Sequence, residues 1–104
     1  MEGKKMIVSY LENRDGKQVF KISGEITASN SAEFSAELQK CREEHPDGGL
    51  ILELGEMKYI SSAGLRVMMT LSQRESEKVV LINSTDETKD ILEETGFTNF
   101  FEVS

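Results

Sequence analysis

Apolar residues along this chain come in short bursts separated by polar stretches, and the spacing inside the bursts changes along its length. Met6-Ile7-Val8-Ser9-Tyr10-Leu11 and Val19-Phe20-Lys21-Ile22 are rich in β-branched and aromatic residues, which predicts two strands. Between them lies Asn13-Arg14-Asp15-Gly16. Asp-Gly supplies the positive φ angles of a tight hairpin, so the strands are expected to be antiparallel neighbours turning at Asp15-Gly16. Gly24-Glu25-Ile26-Thr27-Ala28-Ser29-Asn30 reads as a loop that ends in a helix start, with Asn30 or Ser31 as N-cap and Glu33 in the first turn. Phe34, Leu38 and Cys41 then recur at helical spacing. The turn His45-Pro46-Asp47-Gly48-Gly49 stops that helix before Pro46.

Leu50-Ile51-Leu52-Glu53-Leu54 and Lys78-Val79-Val80-Leu81-Ile82 are nearly all apolar, the pattern of strands covered on both faces. Tyr59 to Ser61 reads as a link, followed by a helix from about Ala63 to Arg74. Strand, helix and strand at this spacing form a crossover unit, expected to be right-handed with parallel strands. Ser84-Thr85-Asp86-Glu87 matches a capping box, and the helix it opens runs to about Glu94, burying Ile91 and Leu92. Gly96 suits the position after that helix, where a left-handed conformation carries no Cβ penalty. Phe97, Phe100 and Phe101 anchor a short last strand or the chain end. The order is β-β-α-β-α-β-α with a short final β: an α/β fold with a mixed four- to five-stranded sheet flanked by about three helices, one domain over residues 1–104.

Composition removes several classes of function. No apolar run approaches the ~18 residues of a membrane span or the ~7–15 of a secretory signal, so a cytoplasmic location is expected. The single cysteine, Cys41, has neither a disulfide partner nor a metal-binding companion and reads as core filling. A formal net charge of −7 disfavours nucleic acid and anionic membranes. Serine catalysis needs a positioned base, and the only histidine, His45, sits in the Pro/Gly turn. Neither a G-x-S-x-G elbow nor a G-x-x-x-x-G-K-[ST] loop occurs, so no enzyme activity, cofactor or metal is expected.

The informative segment is Leu54 to Val67, where a buried strand gives way to a helix. Free N–H groups and the positive end of the helix dipole face such a link, so an oxygen acceptor there is stabilised. Ser62 reads on this ground as a helix N-cap. Gly64, about 1 kcal/mol worse than alanine in a helix, implies either a close approach to another backbone or a surface that receives a partner. The apolar arc of Leu65, Val67, Met68 and Leu71 exceeds the ~100° that one buried face requires. Met68 reads as core, with part of the arc left for docking. Lys58 and Arg66 read as solvated charges, Arg66 also as a contact for a partner.

Tyr59-Ile60-Ser61-Ser62-Ala63-Gly64-Leu65-Arg66 resembles the phosphorylation segment of STAS domains, specifically the stand-alone anti-sigma factor antagonists, which usually reads aromatic-apolar-Asp-Ser-Ser/Thr-Gly-Leu. Ile22-Ser23-Gly24-Glu25-Ile26-Thr27 is similar to the family's Gly-Glu-Leu-Asp element, and Thr95-Gly96-Phe97 to its Ser/Thr-Gly-Leu/Phe near the C-terminus. Ser61 and Thr27 stand where the family carries acidic residues. The resemblance implies that Ser62 is the phosphorylated residue, with Ser61 second, and that Thr27, Ser61, Ser62, Ala63, Gly64, Leu65 and Arg66 form the partner surface. It further implies a monomer that captures an anti-sigma factor serine kinase, frees a sigma factor, is switched off by phosphate on Ser62 and is reset by a serine phosphatase. The alternative is a STAS adaptor subunit of a transport or signalling complex that is never phosphorylated.

Overall fold

In a computed structural model that describes residues 6–104, Asp15 and Gly16 both take positive φ, 54° and 87°, and fold β1 (Ile7–Arg14) antiparallel onto β2 (Lys17–Ile26). The Asn13 side-chain oxygen closes the turn by accepting from Gly16 N–H at 2.9 Å. β2 runs further than its apolar core suggests. Gly24 has positive φ and the register shifts beside it, but pairing resumes, so the segment expected to be a loop from Gly24 is strand as far as Ile26.

The remaining elements follow the expected order: α1 (Ser31–Glu44), β3 (Leu50–Ile60), α2 (Ser62–Gln73), β4 (Val79–Ile82), α3 (Asp86–Thr95), a 3-10 turn at Phe97–Phe100 and β5 (Phe101–Val103). Asn30 precedes α1 without capping it through its side chain. Its oxygen instead accepts from Thr27 N–H at 2.8 Å and its amide donates to the Glu25 carbonyl at 2.9 Å, which ties the loop after β2 into a fixed shape. The box expected at Ser84 is displaced by one residue. Thr85 is the cap, accepting from Thr88 N–H at 3.2 Å, while the Ser84 hydroxyl is buried with no partner among the described residues. Gly96 ends α3 in the left-handed conformation, as expected.

The sheet has the order β1-β2-β3-β4-β5, with only β1 and β2 antiparallel. Right-handed crossovers between successive neighbours put their helices on the same face. Accordingly Phe34, Leu38 and Cys41 of α1, Leu65, Met68 and Leu71 of α2, and Leu92 of α3 share one core with Phe20, Ile22, Leu52, Leu54 and Leu81 of the sheet. By alternation Val19 and Ile51 point to the opposite face; they are buried but lie outside that core. The strand apolar in both directions is therefore helix-covered on one side only.

At the lower end of the helix pair, the Arg42 guanidinium meets both oxygens of Glu75, at 2.8 and 3.0 Å, and donates to the carbonyls of His45 and Gly48. One side chain thereby joins the end of α1, the turn that follows it and the end of α2. Cys41 fills the core as expected; burial, and next the charges of Glu44 and Glu37, push its thiol above the ordinary range, so the reactive thiolate is suppressed.

Candidate functional site at the start of α2

The link read as Tyr59 to Ser61 is shorter than expected, because β3 continues to Ile60. Its last residues pair in parallel with the extended end of β2, Gly24 opposite Met57 and Ile26 opposite Ile60. One more bond, from Ser61 N–H to the Ile26 carbonyl at 2.8 Å, carries the strand geometry one residue further. Ser61 is thus held extended, at φ −83° and ψ 170°, and its hydroxyl accepts from Gly64 N–H at 3.2 Å. It is the N-cap.

The expectation that Ser62 caps the helix is therefore corrected. A cap must keep non-helical backbone angles, and the strand-end bond gives those to Ser61, so Ser62 becomes the first helical residue, with its side chain exposed. This assignment has a thermodynamic consequence. Ser61→Ala is expected to cost about 1 kcal/mol and lower Tm by roughly 4–8 °C, whereas Ser62→Ala should stay within about 0.5 kcal/mol of the parent. Thermal denaturation of the two variants checks this, and the reverse ranking would mean that Ser62 is the cap.

Gly64 answers the question its sequence position left open. A Cβ there would lie 2.6 Å from Ile26 Cγ2 and 2.8 Å from Ile60 Cγ1, so the glycine lets α2 settle onto the ends of β2 and β3. Leu65 is only 2% exposed and belongs to the core. In the free chain both Gly64 and Leu65 are buried, so of the expected contact residues these two are not presented at the surface. What remains accessible is exposed Ser62 and Arg66 with half-buried Thr27, Ser61 and Ala63. Thr27 joins them because the Ser61–Ile26 bond sets the two chain turns side by side, and its hydroxyl accepts from Asn30 N–H at 3.3 Å.

One surface residue was not singled out from the sequence. Tyr59, opposite Glu25 at the end of β3, is 49% exposed. Alternation within an apolar-looking segment does not reveal it; only the register of the extended strand does. On α2 itself Met68 is core, as expected, and Met57 is buried too. Val67 and Met69 are half-buried, so the excess apolar arc is smaller at the surface than its width in sequence suggests.

Within its own first turn α2 carries no charged side chain that would compensate the helix dipole. Its first turn holds no acidic side chain, whereas α1 has Glu33 and α3 has Asp86 and Glu87 there. The nearby exposed cations are Lys58 and Arg66. Among the described residues no group of three or more potential metal ligands occurs, and His45 stacks on Tyr10, with ring centroids 3.6 Å apart, at the far end of α1. A cleft of about 640 Å³ lies between α1 and α2 and is lined by Gln39, Arg42, Val67, Thr70 and Arg74, with neither Ser61 nor Ser62 on its walls. Ser62 and Arg66 thus stand on open surface outside that cleft.

Comparison with known proteins places this geometry among relatives. The family model described as STAS domain matches residues 10–104. A protein of Bordetella bronchiseptica named as a candidate anti-sigma factor antagonist, BtrV, is 27% identical over 97 residues, covering 90% of this chain and 83% of that protein. Among solved structures, an anti-sigma factor antagonist from Mycobacterium paratuberculosis superimposes with a TM-score of 0.81 at 17% identity, over 95% of this chain and 85% of that one. The anti-sigma factor antagonist SpoIIAA in its unphosphorylated form gives 0.67 at 9% identity, over 94% and 88%.

Proposed function

The chain belongs to the STAS domain family, and on that premise we propose that it is an anti-sigma factor antagonist switched by phosphorylation of Ser62. The observation that carries this reading is the exposed Ser62 at the first position of α2, in a chain similar to proteins named as anti-sigma factor antagonists. In its unmodified form the chain captures an anti-sigma factor that is itself a serine kinase, and the sigma factor held by that kinase is released. Phosphate on Ser62 ends the capture, and a serine phosphatase restores it.

The physics of the switch is local. The modification brings about −1.5 to −2 charges to the middle of the accessible set formed by Thr27, Ser61, Ser62, Ala63 and Arg66. The chain's own fold tolerates them, because the bare first turn of α2 favours an anion. A partner seated there must strip their water, which is unfavourable. Ser61 is the poorer acceptor of phosphate, since its hydroxyl is engaged as the cap.

Incubation with the cognate kinase and ATP, followed by a mass spectrum, tests the assignment. One phosphate is expected on the parent chain and on Ser61→Ala, and none on Ser62→Ala. Phosphate retained in Ser62→Ala and lost in Ser61→Ala would move the site by one residue, and no phosphate on any form would favour the adaptor reading.

A further inference from the structure

We infer that Arg66 is the intramolecular partner of a phosphate on Ser62, so that modification occupies this guanidinium as well as adding charge. The inference rests on the proposed phosphorylation of Ser62. Both residues are exposed and stand four positions apart on α2, one turn from each other on the same face. Side chains at that spacing start about 5–6 Å apart, within reach of an arginine, and the favourable order has the anion on the N-terminal side. In the unmodified chain Arg66 makes no ion pair among the described residues, whereas Arg14 and Arg42 each hold a glutamate. The first turn of α2 offers it no carboxylate.

Spacing also separates the two serines. Four residues beyond Ser61 is Leu65, which is buried, so a phosphate at that position would face the core side of the helix with no cation one turn on. From Ser62 the same step reaches Arg66, whose planar fork can take two phosphate oxygens at once. The other charged groups on the elements packed around this helix start are Glu25 of β2, Glu33 of α1, and Glu56 and Lys58 of β3. Lys58 is the one cation among these four, and it belongs to the strand. With no ion pair among the described residues, Arg66 of the unmodified protein can meet a carboxylate of the partner; in the phosphorylated protein it is already engaged.

The test places phosphoserine at position 62 by site-directed incorporation, so that it does not depend on any kinase. The apparent second pKa of the phosphate is then followed by phosphorus NMR in the parent, Arg66→Ala, Arg66→Lys and Lys58→Ala. The parent is expected to titrate about 0.4 unit below Arg66→Ala, a little over twofold in proton affinity, with Arg66→Lys between them and Lys58→Ala like the parent. The difference should shrink in 1 M salt. Identical titration of parent and Arg66→Ala, or a shift that follows Lys58 instead, overturns the pairing. Failure of a kinase to label unmodified protein would count against the proposed switch and leave this measurement standing.

Discussion

Replacing Gly64 by valine is expected to destabilise the protein by about 3 kcal/mol and to lower Tm by more than about 10 °C. A Cβ at this position would sit 2.6 Å from Ile26 and 2.8 Å from Ile60, and both side chains are themselves buried, so neither can swing away. Valine adds two further methyl groups on top of that overlap. Leaving glycine in a helix returns only a few tenths of a kcal/mol for a β-branched residue, far less than the overlap costs. Gly64→Ala should be milder, because alanine returns about 1 kcal/mol of helix propensity against a smaller collision. Urea denaturation of the parent and both variants measures the series. A loss below about 0.5 kcal/mol for valine would mean that α2 does not rest on these two isoleucines, and the position of Ser62 would have to be redrawn.

Arg42→Ala should cost a similar amount, about 3 kcal/mol, for a different reason. The Arg42 and Glu75 side chains are 15% and 10% exposed, and removing the guanidinium leaves a carboxylate largely out of water with no counter-charge. Two backbone carbonyls, those of His45 and Gly48, lose their donor in the same step. Replacing both partners together, Arg42→Met with Glu75→Leu, removes the stranded charge and should recover most of the loss. Thermal denaturation of the two singles and the double gives the coupling directly. Additive losses would show that the pair does not act as a buried unit.

The element order was legible in the sequence because each signal there is a local one. Asp15-Gly16 needs positive φ, Pro46 cannot continue a helix, and Leu50-Ile51-Leu52 is too short and too apolar for anything but an inner strand. The errors share a physical cause as well. Ser61-Ser62 and Ser84-Thr85 each offer two adjacent hydroxyls, and the residue that caps is chosen by the backbone before it. At Ser61 that is the bond to the Ile26 carbonyl, between residues 35 positions apart in the sequence, which no local pattern encodes. The same long-range pairing extends β2 and β3 past their apolar centres, exposes Tyr59 and turns Gly64 inward. The motif marked where the candidate site lies; which of its side chains a partner can reach depended on register.

Ser62 in the middle of the docking surface is the central claim, and affinity for the cognate anti-sigma factor is its most direct test. Calorimetric titrations would compare the parent with Ser62→Ala and Ser62→Asp, each first shown by circular dichroism to be folded. Because Ser62 is not the cap, neither change should disturb α2. Alanine removes a hydroxyl and adds no charge, so it should bind nearly as the parent does. Aspartate brings one charge that must lose its water in the complex, and it should bind at least tenfold more weakly, about 1.4 kcal/mol. Equal affinity for all three forms would contradict the account, since a partner indifferent to charge at position 62 cannot be released by phosphate there.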